Sequence, residues 1–116
     1  MSVVMDIDAF WNRVGEDGDL AHELIALFFA DSPKRFDDVR VAVLGKDASA
    51  LRHAAHAIKG AVANFSAGPA VEAAGVLEEM GRIGNLSGVD EACIILDRQL
   101  VLLRSALTKF DEGVSV

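Results

Sequence analysis

From Val89 to Phe110 one pattern repeats without a break: Val89, Cys93, Leu96, Leu100, Leu103, Leu107 and Phe110 fall at alternating four- and three-residue steps. A helix with this spacing carries an apolar seam along its whole length, and other helices must cover it. The chain has material for that cover. Hydrophobic residues make up 52% of its 116 positions, tyrosine is absent, and aromatics amount to 6%. Such a mixture packs helix on helix in one core of ordinary size, so residues 1–116 are expected to form a single all-α domain.

Four further helices are expected upstream of that seam. After a loose start at Met1 to Met5, Asp6 or Asp8 caps a short helix carrying Ile7, Phe10, Trp11 and Val14, which ends at Gly15-Glu16-Asp17-Gly18. A second begins near Asp19 and runs to Gly45 through Leu20, Leu24, Leu27, Phe28, Phe36, Val39 and Val43, kinked at Pro33. Asp47 or Ser49 caps the third, which stops near Asn64 to Ser66. Ser66 caps the fourth, with Pro69 in its first turn and Ala70, Ala73, Leu77 and Met80 facing inward, and this helix weakens at Gly81 and Gly84. Ser87 and Asp90 resemble a capping box for the last helix, and Gly113 to Val116 read as a frayed tail. Short connections make neighbours antiparallel. The expected architecture is therefore an antiparallel up-down-up-down four-helix bundle with a short additional N-terminal helix.

A net charge of −7 disfavours nucleic acid and anionic membrane surfaces as partners, since both select a basic face. Cys93 is the single cysteine and lies on the seam, where it reads as a packed thiol in a reducing compartment. No stretch reads as a signal peptide or a membrane span, so a cytoplasmic location is expected.

The third helix carries the chemistry. Leu51, Ala55, Ile58, Val62 and Phe65 define its buried stripe. At about 100° per residue, His56 lies roughly 140° from the centre of that stripe, Lys59 roughly 80° and Gly60 roughly 180°. An exposed imidazole thus has a cation and a glycine at i+3 and i+4, the positions that meet on a helix surface. Mid-helix glycine costs about 1 kcal/mol relative to alanine, and no packing demand explains it on an outward face. Imidazole is a good neutral nucleophile near pH 7, and a phosphoryl group on it would add close to two negative charges, which Lys59 could offset. Arg52, Ala63 and His53, at roughly 100°, 120° and 200° from the core axis, complete a small cationic face floored by small residues.

Competing chemistries fit less well. His53 and His56 stand i, i+3, but they point outward beside Arg52 and Lys59, whereas bundle metal sites place their ligands inward, so no metal is expected. No nucleophile elbow, zincin motif or glycine-rich phosphate loop occurs. His22 reads as a surface residue. On the first helix, Phe10, Trp11 and Val14 are expected in part to close the open end of the bundle, but the adjacent Phe10 and Trp11 cannot both point inward, so one of them is expected to form an apolar docking patch beside His56.

The segment Leu51-Arg52-His53-Ala54-Ala55-His56-Ala57-Ile58-Lys59-Gly60-Ala61-Val62-Ala63-Asn64-Phe65, with the preceding Gly45-Lys46-Asp47 turn, resembles the histidine-containing phosphotransfer (HPt) domains of phosphorelays. Ala61 stands where many members have serine, and Ser66 near a position often filled by glycine. The resemblance implies that His56 is the phosphoacceptor, Lys59 its electrostatic support and Gly60 the opening for the partner. It also implies a relay intermediate rather than an autonomous enzyme, acting between a hybrid histidine kinase and a response-regulator receiver domain. That intermediate would be a monomer without a cofactor of its own, Mg²⁺ and catalytic acids residing in the receiver. The contrasting expectation is a helical adaptor whose histidine has no chemistry.

Overall fold

The computed structural model describes residues 3–114, which form five helices: α1 (Ile7–Arg13), α2 (Gly18–Leu44), α3 (Ala48–Ala63), α4 (Gly68–Ile83) and α5 (Val89–Val114). No strand occurs among the described residues. α2 packs on α3, α3 on α4, α4 on α5 and α5 back on α2, a closed ring in which α3 and α5 are diagonal. The short turns between successive helices make neighbours antiparallel.

Aspartates start the first three helices. Asp6, Asp17 and Asp47 each accept a hydrogen bond from the backbone N–H three residues on, at 3.0–3.1 Å. α2 therefore begins inside the Gly15–Gly18 turn, slightly before the expected Asp19, and it runs through Pro33 as one helix. Beside that proline, the buried hydroxyl of Ser32 accepts from Arg104 Nη2 at 2.9 Å, tying α2 to α5.

Four terminal expectations are corrected. Ser66 does not cap α4. The N-cap is Ala67, which makes no side-chain capping bond, while Ser66 sits in the left-handed region (φ +51°) with its hydroxyl buried and unpartnered. Its carbonyl instead accepts the Asp6 N–H at 2.9 Å, which pins the N-terminal segment and leaves Met5 buried rather than loose. Ser87 does not cap α5, because the Ala92 N–H bonds to the Gly88 carbonyl and sets Gly88 at that position. Gly113 and Val114 continue α5, and the rest of the expected tail, Ser115 and Val116, lies outside the described residues, as do Met1 and Ser2.

The seam on α5 is buried at Val89, Leu96, Leu100, Leu103 and Leu107, with Cys93 and Phe110 half-buried at its edges. It meets Ile25, Phe28 and Val39 of α2, Leu51, Ile58 and Val62 of α3, and Ala74 and Leu77 of α4 in one core. Gly81 does not weaken α4. A Cβ there would lie 2.6 Å from the Ala48 carbonyl oxygen and from the Arg52 nitrogen, so this glycine lets the backbones of α3 and α4 touch.

Candidate functional site

On α3 the stripe Leu51, Ala55, Ile58 and Val62 is buried, which turns His56 outward with its side chain 70% exposed. Its Nδ1 lies 2.6 Å from Oε2 of Glu78 on α4. The other carboxylate oxygen of Glu78 accepts from the Lys59 ammonium. Glu78 is thus shared between the imidazole and the lysine, at a position 19% exposed. The Lys59 hydrogen bond, joined by that of His56, holds its carboxyl below the ordinary range against the opposing effect of burial. An ionised carboxylate only accepts, so the proton of this contact is on Nδ1. In the neutral ring that leaves the lone pair on Nε2.

Glu78 escapes a reading of α3 alone, because it belongs to another helix. Antiparallel pairing about the turn at residues 64–67 carries the signal: Glu78 and His56 stand equally far from Ala67, as do Gly75 and Lys59. A Cβ on Gly75 would lie 3.9 Å from Lys59 Cδ, in ordinary contact. The lysine stem thus runs past Gly75 on its way to Glu78, with space there for a methyl group as well.

Around His56 the surface is low. Gly60 is exposed, and a Cβ there would meet nothing within 4 Å. Arg52, His53 and Ala63 are exposed as well. His53 lies toward α2 and lines a groove with Val41, Ala50, Ala54 and Ala57, and a second groove, lined by Leu24, Leu27 and Ala61, shares Ala57 with it. Leu27 is 58% exposed on its bank. Among the described residues, no group of three or more His, Cys, Asp or Glu is placed to hold a metal ion.

The expected patch on the first helix is not there. Phe10 and Val14 are buried, at 0% and 5% exposure, and Trp11 is half-buried against Phe110. Phe10 packs tilted against Phe65 and edge-on against Phe110, with ring centroids 5.2 and 5.5 Å away, so α1 closes the end of the bundle. Arg13 Nη1 donates to the Ala63 carbonyl at 2.6 Å, which places α1 about two turns along α3 from His56. Ala63 thereby belongs to the α1 anchor as well as to the exposed face.

A fold of four antiparallel helices, with an outward histidine backed by a lysine and a carboxylate, defines a class of phosphorelay domain. The Hpt domain family model matches residues 23–112, and the chain belongs to that family of histidine phosphotransfer domains. The chain is similar to a solved structure, the crystal structure of histidine-containing phosphotransfer protein B (HptB) from Pseudomonas aeruginosa PAO1. Identity is 25% and the TM-score 0.89, over 97% of this chain and 98% of that one. Comparison with curated protein sequences finds no match. No helix among the described residues is long and apolar enough to cross a membrane.

Proposed function

We propose that Nε2 of His56 accepts a phosphoryl group from an aspartyl phosphate on a receiver domain and yields it to the aspartate of another. One observation carries this reading: on a 70% exposed imidazole, Nδ1 is engaged by Glu78, so Nε2 is the nitrogen left to attack. In the transfer the P–O bond of the aspartyl phosphate breaks, the Nε2–P bond forms, and the carboxylate leaves. The Nδ1 proton stays where it is, bonded to Glu78, and no proton has to move before attack. Lys59 can turn from Glu78 to the new phosphoryl oxygens. Mg²⁺ and the acids that hold it belong to the receiver.

The groove of α2 and α3 beside His56 supports receiver docking there. Exposed Leu27 and half-buried Leu24 offer apolar contact, and Ala57, Gly60 and Ala61 raise no side chain that would hold the partner's aspartate away. A hybrid histidine kinase is the expected source of the phosphoryl group, in the cytoplasm. The test is incubation with a phosphorylated receiver. Wild type and His53→Gln should take up acid-labile, base-stable phosphate, and His56→Gln should take up none. Equal labelling of His56→Gln would overturn the assignment.

A further inference from the structure

α5 carries a second pattern that the bundle does not use. Glu91, Ile95, Arg98, Leu102, Ser105 and Lys109 recur at alternating four- and three-residue steps on its outward side, with Ile94 and Val101 beside them. Ile94, Ile95, Val101 and Leu102 are 56%, 52%, 57% and 43% exposed. Because α5 is diagonal to α3, this face looks away from His56. At its C-terminal half, Val4 and Ile7 combine with Leu102, Ala106 and Phe110 to form a mainly apolar groove that Ser105 and Lys109 also line.

We propose that this face joins two copies of the chain, with their α5 helices antiparallel about a two-fold axis. Charge selects the register. Parallel pairing would set Glu91 against Glu91, Arg98 against Arg98 and Lys109 against Lys109. The antiparallel register that brings Glu91 against Lys109 of the second copy does so at both ends by symmetry. The same register sets Ile95 opposite Ser105 of the second copy, at the groove beside α1, so that an exposed isoleucine finds an apolar slot. Arg98 then lies opposite Leu102 of the second copy, its stem along apolar surface and its head at the rim. The contact line from Glu91 to Lys109 is about 27 Å long. Each His56 faces outward, and both copies remain able to dock a receiver.

Sedimentation velocity of the intact chain over a dilution series from micromolar to millimolar tests the proposal. Wild type should show a monomer–dimer equilibrium, and Ile95→Asp should weaken it by about 100-fold. Glu91→Lys and Lys109→Glu should each weaken it about tenfold, and the double exchange should restore it to within about threefold. All three positions are exposed, so the variants should keep the wild-type helical spectrum. A monomer at every concentration, a dimer indifferent to Ile95→Asp, or a double exchange that fails to restore association would each overturn the interface.

Discussion

Glu78 Oε2 stands 2.6 Å from Nδ1 of His56 while its other oxygen holds Lys59. One carboxylate on α4 therefore sets both the tautomer of the nucleophile and the resting place of its supporting cation. Glu78→Ala removes the acceptor, and phosphoryl uptake from a receiver should slow about tenfold, the worth of roughly 1.4 kcal/mol of hydrogen bonding. Glu78→Gln keeps an acceptor oxygen and should fall between wild type and alanine. Imidazole ¹⁵N shifts give the direct check, with the Nδ1–H form dominating in wild type and giving way to a mixture in Glu78→Ala. A wild-type tautomer population in Glu78→Ala would refute this role.

Lys59→Ala separates phosphate chemistry from folding. Its side chain is 35% exposed and its partner carboxylate keeps the His56 contact, so melting should shift little. The phosphohistidine should lose the cation that offsets its charge, and its lifetime or transfer rate should fall about tenfold, consistent with a charge-assisted bond of about 1.5 kcal/mol. Collapse of thermal stability with normal transfer would make Lys59 a structural residue.

Helix phase was legible in the sequence because it depends on neighbours within one helix. Leu51, Ala55, Ile58 and Val62 are buried, His56 is exposed, and Asp6 and Asp47 cap as short polar residues before apolar runs do. What depends on the register between helices was not legible. Glu78 reaches His56 only because α3 and α4 are antiparallel about residues 64–67, and Gly81 is required only because Ala48 and Arg52 cross it there. A docking role for Phe10 and Val14 fails for a similar reason: α1 closes one end of the bundle as its apolar residues suggest, but only the convergence of Phe65 and Phe110 there decides that both are buried.

His22 gives a pH signature at the end of the bundle that α1 closes. Its Nδ1 lies 2.8 Å from Asp111, whose hydrogen bond and negative charge raise the histidine pKa. A raised folded value means that the contact stabilises fully below the unfolded value of about 6.5 and is lost as pH rises through the folded value. His22→Asn should therefore lower the melting temperature relative to wild type below about pH 6 and converge with it in mild alkali. A difference that is independent of pH would exclude titration of this pair.

Ser66 is a site where the fold itself can be improved. Its φ of +51° is costly for a residue with a Cβ, and its hydroxyl is buried without a partner. Glycine removes both penalties at the expense of a more flexible unfolded chain, so Ser66→Gly should stabilise by up to about 1 kcal/mol. Urea denaturation would show a higher midpoint at an unchanged slope, and a lower midpoint would mean that the serine side chain supports the turn.

Gly60 on the open face of α3 and Gly81 on α4, against the backbone of α3, should respond oppositely to the same substitution. At Gly60 a Cβ meets nothing within 4 Å, so alanine adds helix propensity and should stabilise by up to about 1 kcal/mol. At Gly81 a Cβ would stand 2.6 Å from backbone atoms of α3, which cannot swing aside as a side chain would, and alanine should destabilise by about 1–3 kcal/mol or more. Function should divide the other way with a larger residue. Gly60→Glu raises a charged side chain next to His56 without touching the core, so its helical spectrum should match wild type while exchange with a receiver becomes slow. Gly81→Ala that still folds should transfer near the wild-type rate only if the α3–α4 spacing, and with it the Glu78 contact, survives; the imidazole ¹⁵N shifts report that directly. Wild-type relay by Gly60→Glu would remove the steric role of Gly60, and an unperturbed melt for Gly81→Ala would show that α3 and α4 do not approach as closely as the glycine permits.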